Sequence, residues 1–402
     1  MADRPSRILP TIVVSQFAGI SLWFAGNAVL PDLQRRWGLP AEALGDITSA
    51  VQLGFIAGTL VFAISALSDR FSPRRIFLCC ALLGALANAS AVAVDGQLGQ
   101  LLALRFATGF FLAGIYPVGM KIASGWYQAD LGRALGFLVG ALVAGTALPH
   151  LLRGLGQDLP WESVTLAVSG IAAAGGLLMY LLVPDGPYLS SGARFDPRAL
   201  AAVFRSPQFR ASACGYFGHM WELYAFWAFA PALLAAYAAA NEVSLNISLW
   251  AFAVIGVGAF SCAAGGLLSL KFGSARVAGG QLFTSGLCCL LSPLAFAAPP
   301  PVFFAFLLLW GLTVAGDSPQ FSALNARFAP RQLVGSALTI ANAIGFGISI
   351  LSIQLLNEAV GATEPRYLFL LLIPGPLFGL WSLWPLLGRR AAQEASANNE
   401  KA

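Results

Sequence analysis

The sequence predicts an all-α membrane protein, with twelve transmembrane helices arranged as two pseudo-symmetric six-helix bundles. Three observations carry that expectation: a composition too apolar for water, twelve apolar runs of spanning length, and an internal repeat. Of 402 residues, 58% are hydrophobic and 10% charged, where an ordinary soluble domain carries about 25% charged residues. A soluble globule of this size could not cover its surface with so few charges, so a soluble enzyme is excluded. The 43 glycines accompany few polar residues and therefore fit close helix packing rather than disorder.

A spanning helix needs about 20 mostly apolar residues. Such runs lie at 8–30, 44–66, 76–94, 98–120, 134–153 and 163–183, then at 211–238, 247–270, 277–298, 301–324, 333–356 and 367–387. The first run exceeds the roughly 7–15 residues of a signal-peptide core and is read as a retained helix. The longest polar stretch, 184–210, holds Asp185, Pro187, Arg194, Asp196, Arg198 and Arg205 and divides the halves. The expected domains are an N-terminal bundle over 1–183, a cytoplasmic linker over 184–210, and a C-terminal bundle with a short cytoplasmic tail over 211–402.

Orientation follows from the basic residues. With a cytoplasmic N-terminus, the inside segments hold eighteen Lys and Arg, whereas the outside loops hold four, Arg35, Arg36, Arg153 and Arg366. This bias puts both termini in the cytoplasm, and the membrane is read as a bacterial-type inner membrane. It also accounts for the net charge of +5 without a nucleic-acid partner. The six cysteines sit in apolar runs with no metal-ligand spacing, so neither a metal nor a cofactor is expected.

The halves echo each other at an offset close to 200. Leu22-Trp23-Phe24-Ala25 through Pro31 aligns with Glu222-Leu223-Tyr224-Ala225 through Pro231. The loop Ser65 to Arg75 aligns with Gly266 to Arg276, and Ala113-Gly114-Ile115-Tyr116-Pro117 with Ala315-Gly316-Asp317-Ser318-Pro319. Ordered matches at nearly constant spacing imply a duplicated six-helix unit.

With these features the chain resembles the major facilitator superfamily of secondary transporters. Asp69, Arg70 and Arg74 match that family's loop signature between helices two and three, although Ser65 and Ser72 replace its glycines and Pro73 a basic residue. Arg105 and Gly109 match its fourth-helix pattern. The resemblance spans residues 8–388 and implies two bundles rocking about a central cavity, with transport by alternating access. It further implies that Asp69, Arg70 and Arg74 form a cytoplasmic gate, a latch of charge-assisted bonds between helix ends. In helix five Gly136 and Gly140 match the family's antiporter signature, but Ala141 replaces its proline and Val143-Ala144 its glycine pair. That departure counts against a multidrug antiporter. The stretches GYFGHMWELYAFW and NAIGFG resemble the branch of nitrate and other small-anion carriers. Its nitrate members use an Arg in helix two and another in helix eight, and neither run here contains one, so nitrate is not expected.

Three ionisable residues stand well inside apolar runs: Arg105, Glu222 and Asp317. Each costs at least about 2.5–3.5 kcal/mol to insert and so needs a partner, a wet cavity or a task. His219 lies one turn before Glu222 and shares its helix face. Such a group can take up and release a proton, and Glu222, His219 and Asp317 are the proton-coupling candidates. A carboxyl that simply hydrogen-bonds across the bundle is the plainer alternative. Arg105, about 10 Å deep at 1.5 Å per residue, is a candidate contact for an anionic substrate. A proton relay, which the resemblance implies, and a structural interhelical pair remain open for it. Pro319 frees a backbone carbonyl and predicts a kink beside Asp317.

Amphipathic aromatics complete the set. Trp23 and Tyr224 occupy near-equivalent places in helices one and seven, and with Asn27, Tyr116, Trp227 and Arg105 they are the expected substrate-binding residues. Gln16, Gln52, Asn325, Asn342 and Gln354 are further polar candidates, for which interhelical hydrogen bonds are an equal explanation. An aromatic cavity with few polar groups suits a small organic solute. No phosphate-binding loop or catalytic constellation stands out, so ATP-driven transport and enzymatic activity are not expected. The expected function is secondary transport of a small solute, read as proton symport of a small organic anion by a monomer in the lipid bilayer. Proton-driven efflux of a drug-like compound, and a transporter-like sensor without net flux, are the alternatives.

Overall fold

The computed structural model describes residues 5–127, 131–189 and 202–388. Twelve of its helices are long and apolar enough to cross a membrane: α1 (Ile8–Trp37), α2 (Ala43–Ser65), α3 (Pro73–Ala93), α4 (Leu98–Trp126), α5 (Arg133–Leu155), α6 (Trp161–Leu182), α7 (Pro207–Ala240), α8 (Ile247–Phe272), α9 (Ser274–Phe296), α10 (Pro300–Phe328), α11 (Val334–Ala359) and α12 (Pro365–Leu387). Among the described residues the only β pairing is an isolated bridge between Val360 and Thr363. The helices form the two six-helix bundles that the repeat predicts. Residues 190–201 of the expected linker and 389–402 of the expected tail lie outside the described residues.

Local signals start these helices. Proline opens α3, α7, α10 and α12, where its missing N–H removes no intrahelical bond. Ser206 Oγ accepts from Phe209 N (3.3 Å) ahead of α7, and Asn246 Oδ1 from Leu249 N (3.1 Å) ahead of α8. The first helix runs past the predicted residue 30 to Trp37. Its polar end packs Val29, Leu30 and Leu33 against Ile47, Leu101, Trp161 and Val164, so tertiary packing extends the helix beyond its apolar run. Across the surface, large apolar side chains such as Leu270, Phe260, Trp381 and Trp384 are mostly exposed, an outer face suited to lipid rather than water.

Two helices break at repeat-related places. The fourth turns at 113–115 and resumes at Tyr116, and the tenth breaks at Asp317 and resumes at Ser318. Pro117 and Pro319 each stand second in the resumed segment, where a proline ring excludes the preceding turn's regular bonding. The kink expected beside Asp317 is therefore present, and its counterpart in the first half is too. The first helix also breaks, at 21–24, whereas its repeat partner α7 runs unbroken through Pro231.

The duplication is visible in packing as well. A methyl group placed on Gly109 of α4 would lie 1.9 Å from the Val51 carbonyl oxygen of α2. One placed on Gly311 of α10 would lie 1.8 Å from the Val254 carbonyl oxygen of α8. Both halves thus cross two helices backbone to backbone through a glycine at the same repeat position.

The bundles meet through α2 with α11 and α5 with α8. Their polar bonds concentrate at the face opposite the one where α1 begins and α12 ends. There the Asn357 amide accepts from Gly45 N (3.0 Å) and donates to Glu42 O (2.8 Å), while Asn246 Nδ2 donates to Gly154 O (2.9 Å). Deeper in, Gln354 donates to Ser49 (2.8 Å) and Ser349 to Gln52 (2.9 Å). That face is sealed. Removing both Asn357 bonds costs about 1–2 kcal/mol of closed-state preference, a severalfold population change. Spin labels at Ala41 and Ala362, exposed on the two bundles beside the seal, should report a larger long-distance population in Asn357→Ala. An unchanged distance distribution rules out this role for Asn357.

Candidate functional site

A cavity of about 80 Å³, measured as room for water centres, lies between the bundles on the unsealed side. That is several waters' worth of space in a site needing roughly 10–15 Å³ for one. Its walls come from Tyr116 of α4, Leu142 of α5, Tyr216, Tyr224 and Trp227 of α7, Ser318 and Ser322 of α10, and Asn342 and Phe346 of α11. Spacing explains how α7 contributes so much. Tyr216, Met220, Leu223, Tyr224 and Trp227 recur at three and four residues and form one helix face.

An aromatic cluster closes the cavity toward the seal. Trp23 stacks on Tyr224 at 5.6 Å and on Phe346 at 5.5 Å, and Phe55 sits 4.8 Å from both Trp23 and Phe346. Trp227 meets Tyr224 edge-on at 5.3 Å and Phe24 at 6.4 Å. The rings come from both bundles, and each such pair contributes about 0.5–1.5 kcal/mol beyond its area. Trp23 and Tyr224, which the sequence puts at near-equivalent places of helices one and seven, are in direct contact.

Arg105 occupies a different place. Its guanidinium donates to Leu22 O (3.0 Å), Trp23 O (2.5 Å) and Asn88 Oδ1 (2.8 Å). It is buried and absent from the cavity lining. The carbonyls it holds are those freed where α1 breaks, the negative end of a half-helix, so a buried cation is well placed there. Asn88 in turn donates to Ser169 (3.0 Å), which extends the network to α6. Asn27 donates to Thr48 at 2.7 Å, also away from the cavity. Of the other polar candidates, Asn342 lines the cavity, Asn325 accepts from Ser212 (2.6 Å), and the Gln16 amide is buried against Gly119.

The acidic candidates lie behind the cavity wall, inside the C-terminal bundle. Glu222 accepts from Trp310 Nε1 (2.7 Å) and Ser285 Oγ (2.9 Å), with Cys289 Sγ at 3.4 Å. Ser285 Oγ also lies 3.2 Å from Leu282 O, yet a serine has one proton to give. An ionised Glu222 receives that proton in its hydrogen bond. A protonated Glu222 donates to Ser285 Oγ, which then donates to Leu282 O. Both charge states find partners without moving a helix. One turn earlier, His219 Nδ1 lies 2.8 Å from Asp317 Oδ1, both side chains buried. His219 Nε2 and Asp317 Oδ2 have no hydrogen-bond partner among the described residues. Asp317 stands at the α10 break, so the kink and the contact with His219 share one residue.

At the opposite end of the molecule, Arg74 lies 3.9 Å from Asp185 and over the Tyr180 ring, and Ser72 donates to Asp185 at 2.8 Å. These contacts tie α3 to the end of α6 within one bundle. Arg70 is exposed, and the side chain of Asp69 lies outside the described residues.

Residues 12–218 match the sequence profile of the Major Facilitator Superfamily, just over half of the chain. The chain belongs to that superfamily. Its twelve helices of spanning length make it a multi-pass membrane protein of that transporter superfamily. It is 31% identical over 180 residues to the niacin transporter NiaP of Acinetobacter baylyi, covering 42% of this chain and 38% of that one. It is 24% identical over 356 residues to the 4-hydroxybenzoate transporter PcaK of the same organism, covering 79% and 76%. The first match thus spans well under half of the niacin transporter's length. Among solved structures, the proton:xylose symporter XylE superposes with a TM-score of 0.74 at 14% identity, over 95% of this chain and 96% of that one. At that identity the likeness is one of fold.

Sequence reading had named Tyr116, Tyr224 and Trp227, which do line the cavity, and had missed Tyr216, Ser318, Ser322 and Phe346. The period of the α7 aromatics would have found Tyr216. Nothing in the sequence pointed to Ser285 or Trp310 as partners of Glu222, because those contacts cross 63 and 88 residues.

Proposed function

We propose that the chain is a proton-coupled symporter of a small aromatic carboxylic acid, working by alternating access. The observation that carries this reading is the cavity wall: aromatic rings from both bundles, with Tyr224 stacked on Trp23 beyond the wall, beside a few hydroxyl and amide groups. Flat rings bind between such walls, and the sparse polar groups orient a single polar substituent. The relatives named for niacin and 4-hydroxybenzoate carry aromatic acids, which supports the same class here. Glu222, with partners for either charge state, is the proposed proton carrier, and the His219–Asp317 pair at the α10 break links protonation to the kink. The positive-inside bias supports cytoplasmic termini in an inner membrane. On that orientation the cavity faces the cytoplasm, and the protein acts as a monomer.

Ligand-induced thermal stabilisation of the purified protein tests the substrate class. At about a hundredfold excess over Kd, a ligand that binds only the folded state adds about 2.7 kcal/mol. Nicotinate, benzoate and 4-hydroxybenzoate should raise the melting temperature by several degrees, with xylose and cationic drugs inert. Stabilisation by a sugar or a cation, with none by the acids, rejects this function.

A further inference from the structure

Tyr216 and Tyr224 are 5% and 4% exposed, and with Tyr116 they line the cavity between the bundles. None of the three hydroxyls has a hydrogen-bond partner among the described residues, although each ring is packed. All three side chains share that one cavity, Tyr216 and Tyr224 from one face of α7 and Tyr116 from α4. Among the described residues, the lining contains no lysine, arginine or histidine. Arg105 has committed its guanidinium to Leu22, Trp23 and Asn88, and His219 faces Asp317.

A carboxylate entering such a space must exchange its water for donors. We infer that Tyr116, Tyr216 and Tyr224 form a carboxylate-binding subsite in which neutral hydroxyls from both bundles replace a cation. This inference rests on the aromatic-acid function proposed above and assigns the atoms that hold the acid group. Each phenol O–H rotates to donate to an ionised oxygen, a bond stronger than one between neutral groups. Tyr116 belongs to the N-terminal bundle and the other two to α7, so a bound carboxylate bridges the two moving bodies. Hydroxyl donors also suit a carrier that must release its anion, since a fixed buried cation would retain it.

The full-length protein with Tyr116→Phe, Tyr216→Phe or Tyr224→Phe tests this, each variant keeping its ring. The probes are 4-hydroxybenzoate and 4-hydroxybenzyl alcohol, which differ only at the acid group. Each substitution should weaken 4-hydroxybenzoate binding by about tenfold and leave the alcohol within about twofold. Equal losses for both probes, or no loss for the acid, overturn the subsite. Should one variant fail to fold, the other two still decide. A wild-type protein that binds no aromatic acid instead rejects the transport function itself, so the two failures are distinct.

Discussion

Glu222→Gln should abolish uphill accumulation in proteoliposomes while leaving substrate exchange intact. With the membrane potential collapsed, one proton per solute lets a gradient of about one pH unit sustain about tenfold accumulation, since each unit is worth about 1.4 kcal/mol. The variant should accumulate about onefold. Glutamine keeps the shape of the side chain and an oxygen for Trp310 Nε1, which now donates at 2.7 Å, so the bundle should stay folded. What it loses is the carboxyl proton that Glu222 can bind and release while the Ser285 hydroxyl re-aims between Glu222 and Leu282 O. Counterflow of labelled against unlabelled solute needs no net proton transfer and so should continue. Normal accumulation by the variant rejects Glu222 as the carrier and shifts attention to His219 and Asp317. Loss of exchange as well would identify a residue required for folding or binding rather than coupling.

Gly109→Ala and Gly311→Ala should each be among the most destabilising single-methyl changes in the chain. The added carbon would lie 1.9 Å from the Val51 oxygen in one case and 1.8 Å from the Val254 oxygen in the other. An ordinary contact is more than 3 Å, and the obstacle is backbone on a neighbouring helix rather than a side chain able to swing away. The crossings α2–α4 and α8–α10 must therefore open, at a cost of about 3 kcal/mol or more. Gly136→Ala is the matched control. Nothing lies within 4 Å of its added methyl, and the helical preference of alanine over glycine makes it neutral or stabilising by about 0.5–1 kcal/mol. Thermal unfolding in detergent separates the three. Equal melting temperatures for all of them would show that the close crossings are more compliant than their geometry implies.

Much of this protein was legible before any tertiary contact was known. Span count depends on local apolar length, and a bilayer leaves the backbone little choice but helix. All twelve spans fall where the runs predict them, with ends displaced where packing or a proline adds turns, as at Trp37 and Pro207. Alignment of 113–117 with 315–319 correctly marked equivalent places, since both helices break there. The site was less legible. Trp23 and Tyr224 were placed at near-equivalent repeat positions, and only the fold shows that they stack. Arg105, which also matches the family's fourth-helix pattern, was marked by its charge inside an apolar run, and only the fold shows it bound to carbonyls of a helix break that no sequence signal announces. Glu222 was singled out for the same reason, yet its partners lie on α9 and α10.

By itself, the sequence determined the medium, the number of crossings, the duplication and the few residues whose charge demanded an explanation. These follow from transfer free energies and local periodicity, which act residue by residue. Tertiary structure alone decided which face is sealed, which aromatic rings meet across the bundles, and how each buried charge is satisfied. Those outcomes depend on hydrogen bonds and ring contacts between helices far apart in the chain. Many polar side chains compete for such partners, and only the packed arrangement selects among them.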